Sequence, residues 1–173
     1  MSRTDARIRY TQGVLKQALL SFLQEKPINK ITVKEVCERA ELNRATFYAH
    51  YSDCFALLES IEEDLLEAFQ QSLKLVDSFD VTALIEAIYT MIEQQQEACR
   101  VLIFQNVCPN VLRRMISLAR GKSIAYWKQH LHHITDAELE MLYTHLSNGL
   151  MHVVVEGYEK YSREEVVRFV NRI

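Results

Sequence analysis

The sequence predicts an all-α protein in two parts, a small N-terminal unit of three helices followed by a larger helical body. Only 4 Gly and 2 Pro occur in 173 residues, too few for a fold built from many tight turns. Apolar residues recur at helical spacing through most of the chain. Helix-start residues stand at the breaks between these stretches. The overall balance, 49% hydrophobic and 25% charged, is that of a globular protein.

Residues 6–25 form the first expected helix, with Ile8, Val14, Leu15, Ala18, Leu19, Phe22 and Leu23 on its apolar side and Pro27 as its stop. Thr32 then opens a short helix over 33–40. Its Glu35, three residues on, completes a capping-box pattern, and Val33, Val36 and Ala40 turn inward. Glu41 and Leu42 connect it to Asn43, a second cap, and to a helix of about seven residues ending near His50. Ser52 or Asp53 starts a long helix from Cys54 to about Leu75, which ties the first unit to the body. Further helices are expected at about 80–95, 97–106, 109–132, 136–160 and 163–173, with breaks at Pro109, Thr135-Asp136 and Ser162.

Charge is distributed unevenly. The net charge is −3, but residues 1–54 hold nine Lys or Arg against six Asp or Glu, and the remainder holds eleven against seventeen. A basic first third on an acidic body is the asymmetry expected where one end meets phosphate. Residues 33–50 also match the plan of a helix-turn-helix, in which a short second helix enters the major groove of DNA. Phe47 supplies the apolar back of that helix, leaving Arg44, Thr46, Tyr48 and His50 for its front and flanks. Arg44 can donate two hydrogen bonds to guanine, and Thr46 offers a hydroxyl and a methyl group. Tyr48, His50 and Tyr51 can donate to phosphate, and Thr32 with its helix N-terminus offers an anion site. Lys34 reaches either backbone or a base edge. With Asn43 and Ala45, these residues form the expected DNA surface.

The stretch resembles the signature of the TetR family of bacterial regulators. The likeness is carried by Thr32-Val33, by Phe47-Tyr48-Ala49-His50-Tyr51, and by Leu57 and Leu58 in the following helix. It spans roughly residues 6–65 and implies a helix-turn-helix DNA-binding domain (1–53) followed by a helical ligand-binding and dimerisation domain (54–173). The resemblance further implies a dimer on a palindromic operator of double-stranded DNA, released by a small-molecule effector. One position departs from the family pattern. Cys54, preceded by Asp53, stands where the family usually has a lysine that reaches phosphate, so weaker binding and a flatter salt dependence are expected.

In the body, Met91, Phe104, Met115, Leu118, Tyr126 and Trp127 are candidates for an effector pocket, although an apolar stripe at helical spacing is ordinarily core. Leu139, Leu142, Leu146, Leu150, Val153 and Val154, with Val166, Val167, Phe169, Val170 and Ile173, give two apolar-faced terminal helices suited to a four-helix dimer interface. Small residues at Ser147 and Gly149 permit close approach. Glu59, Glu62, Glu63, Asp64 and Glu67 are expected on a solvated face turned away from DNA, whereas Arg3, Arg7 and Arg9 form a basic arm beside the reader.

No cofactor and no metal site is expected: His145 and His152 share a helix face but lack companions at ligand spacing. Cys37, Cys54, Cys99 and Cys108 include no CxxC pair and read as small apolar residues, with nothing near Cys99 or Cys108 to favour redox sensing. The start of the chain lacks a basic and apolar leader, and no run is long enough to span a membrane, so a cytoplasmic protein is expected. An enzyme is disfavoured, since no phosphate-cradling Gly loop, nucleophile elbow or HExxH is present. The rival expectation is a helical interaction module with a vestigial reader.

Overall fold

The computed structural model describes residues 3–74, 81–158 and 160–172. The helix end expected near Leu75, the start expected near residue 80, and Ile173 lie outside them. Among the described residues every regular element is helical: α1 (Arg3–Leu23), a 3-10 turn (Ile28–Lys30), α2 (Val33–Arg39), α3 (Arg44–Tyr48), α4 (Cys54–Lys74), α5 (Val81–Gln94), α6 (Gln96–Cys99) running into a π-helical turn (Arg100–Phe104), α7 (Pro109–His130), α8 (Asp136–Gly157) and α9 (Arg163–Val170). Among the described residues no helix is long and apolar enough to cross a membrane.

Helix starts follow the side-chain chemistry. Thr32, Thr135 and Ser162 each accept from the backbone N–H three residues on, and the Glu at that position (Glu35, Glu138, Glu165) accepts from the cap's own N–H. Asn43 caps α3 through its side-chain oxygen, 2.8 Å from the Thr46 nitrogen. The first helix stops four residues before Pro27, because the Glu25 and Lys26 amides both turn back to the Phe22 carbonyl.

The link between α2 and α3 turns at Glu41, whose φ of 54° lies in the left-handed region. A β-carbon is strained there, so Glu41→Gly is expected to stabilise the fold by about 1 kcal/mol, read as a rise in the denaturation midpoint.

One apolar core runs from the three-helix unit into the body. Leu15, Ala18, Leu19, Phe22 and Leu23 of α1 meet Val36 and Cys37 of α2, Phe47 of α3, and Leu57, Leu58 and Ile61 of α4. Ile8, expected on the same stripe, is exposed at the far end of α1. Farther along, α4 adds Leu65, Leu66, Phe69 and Leu73 to the core of the body. The helix therefore belongs to both units, and the boundary at residue 53/54 marks its first residue rather than a gap in packing.

Its acidic side is tied down. Asp64 pairs with Lys16 at 2.5 Å, and Arg114 reaches Glu63 at 2.5 Å and Glu62 at 3.7 Å. These acids, expected to be merely solvated, bind α4 to α1 and α7. In the last turn of α8, a β-carbon on Gly157 would lie 3.0 Å from the Tyr161 ring, so the chain passes closely there only because the side chain is missing.

All four cysteines are free; three are buried and Cys108 is half-buried. Burial pushes the Cys54 thiol up to about 11 and Cys99 up to about 12. At Cys108 burial, and then the Glu62 carboxylate hydrogen-bonded to it, does the same, to about 12. Thiols held this far into the protonated form are poor nucleophiles.

Candidate nucleic-acid interface

α3 is only five residues long and cannot hold itself together in water. Its position comes from Phe47, whose ring is wholly buried and lies edge-on to Tyr48 at 5.6 Å and tilted to Tyr51 at 5.9 Å. With Phe47 inward, Asn43, Arg44, Ala45 and Tyr48 are exposed and Thr46 is half-buried. Tyr48 shows 57% of its surface. His50 is half-buried beside Tyr51. The exposure of Arg44 and Tyr48 agrees with the outward side drawn from the sequence, and one of the expected contact residues is instead turned inward.

That residue is Tyr51. It is buried, and its hydroxyl is enclosed without a hydrogen-bond partner. The expected phosphate contact from Tyr51 is therefore withdrawn. The reason is spacing: Tyr51 lies four residues after Phe47, its N–H bonds the Phe47 carbonyl at 2.9 Å, and both rings fall on the same inward face. Tyr51→Phe removes an unsatisfied polar atom and is expected to leave DNA affinity unchanged while holding or raising stability. Isothermal denaturation beside a DNA titration checks both halves.

Several polar groups of the site are already engaged. The Thr32 hydroxyl donates to Glu35 at 2.8 Å, and the Thr32 N–H donates to the same carboxylate oxygen at 2.9 Å. The anion position at the start of α2 thus holds the protein's own carboxylate. Thr46 donates its hydroxyl to the Asn43 side chain at 3.1 Å, which leaves its methyl group and lone pairs for a partner. Lys34 is exposed and loosely paired with Glu38 at 3.7 Å, an interaction that a phosphate displaces at small cost.

Of the basic residues in the first third, Lys16 and Lys26 sit in ion pairs with Asp64 and Glu35. Arg39 lies 3.9 Å over the Phe22 ring, donates to Ser21 and pairs with Glu25. These three are structural cations. Lys34 and Arg44 remain as exposed cations on α2 and α3, and Lys30, which the sequence reading passed over, is exposed just before α2.

Glu35 itself is held well below the usual carboxylate range, at about 2 against an ordinary 4.5, first by the Lys26 hydrogen bond and then by Thr32. A depressed acid stabilises the fold above its unfolded value and loses that contribution as pH falls toward the folded value. The thermal midpoint of Glu35→Gln should therefore lie below that of the parent chain at neutral pH, with the gap closing between about pH 4.5 and pH 2.

Cys54 is 5% exposed and faces Cys37 and the core, not the surface next to α3. Asp53 occupies the start of α4, accepting from the Ala56 N–H at 2.8 Å. At the position where the resemblance leads one to expect a cation, this chain has the buried Cys54 thiol, and the residue before it is an acid. Phe55, in the first turn of α4, is 56% exposed. Its signal in the sequence is that it breaks the inward stripe of Cys54, Leu57, Leu58 and Ile61.

The body holds a cavity of about 590 Å³ between α4, α5, α7, α8 and α9. Of the expected pocket residues, Met115 and Trp127 line it. The other pocket candidates are used elsewhere. Met91 is core beside the Cys99 sulfur, Phe104 stacks on Tyr158 at 4.8 Å, Tyr126 stacks on His130 at 4.1 Å, and Leu118 is exposed on α7 outside the cavity. Of the expected dimer residues, Leu139 and Val166 are 1% and 2% exposed within a single chain and so offer nothing to a partner. Leu142 is half-buried. Leu146, Leu150, Val153, Phe169 and Val170 border the cavity, and of these Leu146 and Phe169 are exposed on the surface of the single chain. His145 and His152 are exposed, and among the described residues no three metal-ligating side chains converge.

Comparison with known proteins finds likeness in fold over nearly the whole chain and in sequence over part of it. No family model matches the chain. A curated relative, the uncharacterised HTH-type transcriptional regulator YxbF of Bacillus subtilis, is 37% identical over 62 residues. That match spans 36% of this chain and 16% of the relative's length. Among solved structures, a TetR transcriptional regulator from Streptococcus agalactiae 2603V superposes with a TM-score of 0.68 at 23% identity, covering 96% of this chain and 94% of that one. A chain from Pseudomonas aeruginosa PAO1 assigned as a transcriptional regulator superposes at 0.62 with 16% identity, covering 93% and 86%.

Proposed function

We propose that this chain, which has the fold of the TetR-type regulators, is itself a DNA-binding transcriptional regulator acting as a homodimer in the cytoplasm. The observation that carries the reading is α3: a helix fixed from behind by one buried ring, presenting Arg44, Ala45 and Tyr48 outward beside the exposed Lys34 of α2. Such a helix fits the major groove, about 12 Å wide. Two copies on a palindrome would set their readers about 34 Å apart. Arg44 reads base edges, and Lys34, Tyr48 and His50 position the protein on phosphate.

The second copy docks on α8 and α9, where Leu146 and Phe169 are 42% and 51% exposed. Occupation of a promoter by the dimer blocks transcription, and a small molecule in the body releases it by favouring a conformation with a different reader spacing. α4 supports this link, because it carries Leu57 and Leu58 in the core of the reader and Phe69 at the cavity, about 18 Å along the same helix.

The test is fluorescence anisotropy of the purified chain on a library of genomic DNA fragments, titrated with salt. Sequence-selective binding with a negative salt slope is the expected result. The absence of binding at low salt and micromolar protein would leave a helical interaction module with a vestigial reader.

A further inference from the structure

α8 differs from an ordinary surface helix in its charge. From Met141 to Val155 it carries no Lys, Arg, Asp or Glu, although Met141, His145, Leu146, Asn148 and His152 in that stretch are exposed. Surface helices usually turn charged residues to solvent, and depletion of charge marks the centre of an interface. Beyond residue 54 the chain holds eleven basic residues against seventeen acidic ones, so two copies repel over most of their bodies. The uncharged stretch of α8 is where a second copy can approach.

Two ionisable groups interrupt this face, and they are not equivalent. His152 has Glu156 one turn on, so its charged form has a carboxylate to meet, even though Glu156 also pairs with Lys160 at 3.7 Å. His145 has Met141, Leu142, Asn148 and Gly149 as its neighbours along α8. Across the groove it shares walls with Trp127 of α7 and with Phe169 and Val170 of α9.

The charges on the packed elements are engaged elsewhere or have the wrong sign to hold a cation at His145. On α7, Arg120 is bound to Glu140 and Lys128 to Asp136, and the His130 ring meets the Tyr126 carbonyl. On α9, Glu165 closes the cap on Ser162, Arg163 is bound to Glu86 and Glu93, and Glu164 lies one turn before Arg168. Arg168 and Arg172 flank Phe169, and Arg100 heads the π-helical turn; all three are exposed cations.

We propose that the second copy closes over His145, and that the dimer therefore holds only while this imidazole is neutral. The proposal rests on the homodimer reading and gives that dimer a trigger. By twofold symmetry the contact contains His145 from both copies. A protonated ring keeps its hydration on the free chain. In the closed face it loses that hydration, gains no carboxylate and shares the contact with a second like charge. Protonation thus favours separate chains. Imidazole takes up its charge between about pH 8 and pH 5, so acidification splits the dimer and separates the paired readers.

Sedimentation equilibrium of the intact chain at constant ionic strength reads the dimer dissociation constant. It should rise about 100-fold between pH 7.5 and pH 5.5, since two protons are taken up per dimer separated, with helix content by circular dichroism unchanged. His145→Gln and His145→Leu, neither able to take a charge, should stay dimeric at pH 5.5. His152→Gln should behave as the parent chain.

A chain that is monomeric at pH 8 would overturn the homodimer reading and this proposal together. A dimer equally strong at both pH values would overturn the proposal alone. So would dissociation that persists in both neutral His145 variants or disappears in His152→Gln. Loss of the dimer at pH 8 in both His145 variants would also sink it, because the imidazole would then be a contact rather than a switch.

Discussion

Phe47→Ala should cost about 3–5 kcal/mol of stability and abolish DNA binding in the same step. The expectation follows from the length of α3. Five residues supply too few internal hydrogen bonds to persist alone, so the orientation of Arg44 and Tyr48 depends on what the back of the helix grips. Phe47 is that grip, wholly buried and in the same core as Val36, Leu57 and Leu19. Removing the ring leaves a void under the reader and frees α3 from α2. Against a typical total of about 5–15 kcal/mol the loss is large. Denaturant titration gives the magnitude, and anisotropy on DNA gives the function. Phe47→Leu, which keeps most of the buried volume, should retain both to a large degree. A Phe47→Ala chain that unfolds within 1 kcal/mol of the parent (about the size of one ordinary hydrogen bond) would show that α3 is held by something else.

Arg44→Ala should act differently, leaving stability nearly untouched and removing discrimination at one operator position. The side chain is exposed at the first turn of α3, so its loss exposes no core. A bidentate arginine–guanine pair contributes about 1–3 kcal/mol of selectivity, a factor of roughly 5 to 150. The contrasting variant is Lys34→Ala. Its lysine sits on α2 with only a 3.7 Å pairing to Glu38, and a phosphate contact there should weaken all sequences alike and reduce the salt slope by about 1. Anisotropy on one operator and its single-base variants, over a range of salt, separates the two. If both substitutions lowered affinity by the same factor on every sequence, the division into base reader and phosphate anchor would be wrong.

How much of this could be read from residues alone depends on whether the cause is local. Helix starts were legible because a cap acts over three residues, and Thr32, Asn43, Thr135 and Ser162 all cap as their sequences imply. Phe47 as the inward residue followed from one-sided polarity. Tyr51 was misassigned although the information was present, since an i, i+4 relation to Phe47 puts both on one face. The commitment of Arg39 to its neighbours was not legible in the same way. Arg39 meets Phe22 and Ser21 only once α1 and α2 have packed. The cavity is a property of five helices together. No spacing within α5 or α7 distinguishes Met115, which lines it, from Met91, which does not.

The placement of the four cysteines has a practical consequence. Cys37 and Cys54 lie in the core beneath the reader, and Cys99 and Cys108 lie in the body, all with thiols held protonated where they sit. An alkylating reagent can reach the three buried ones, Cys37, Cys54 and Cys99, only when the surrounding structure opens, whereas the half-buried Cys108 is partly accessible from the start. The rate at which each buried thiol is modified is therefore a clock for the breathing of its own neighbourhood. Peptide mapping after a timed pulse would report the opening of the DNA-reading unit and of the body separately, with no label added and no residue changed.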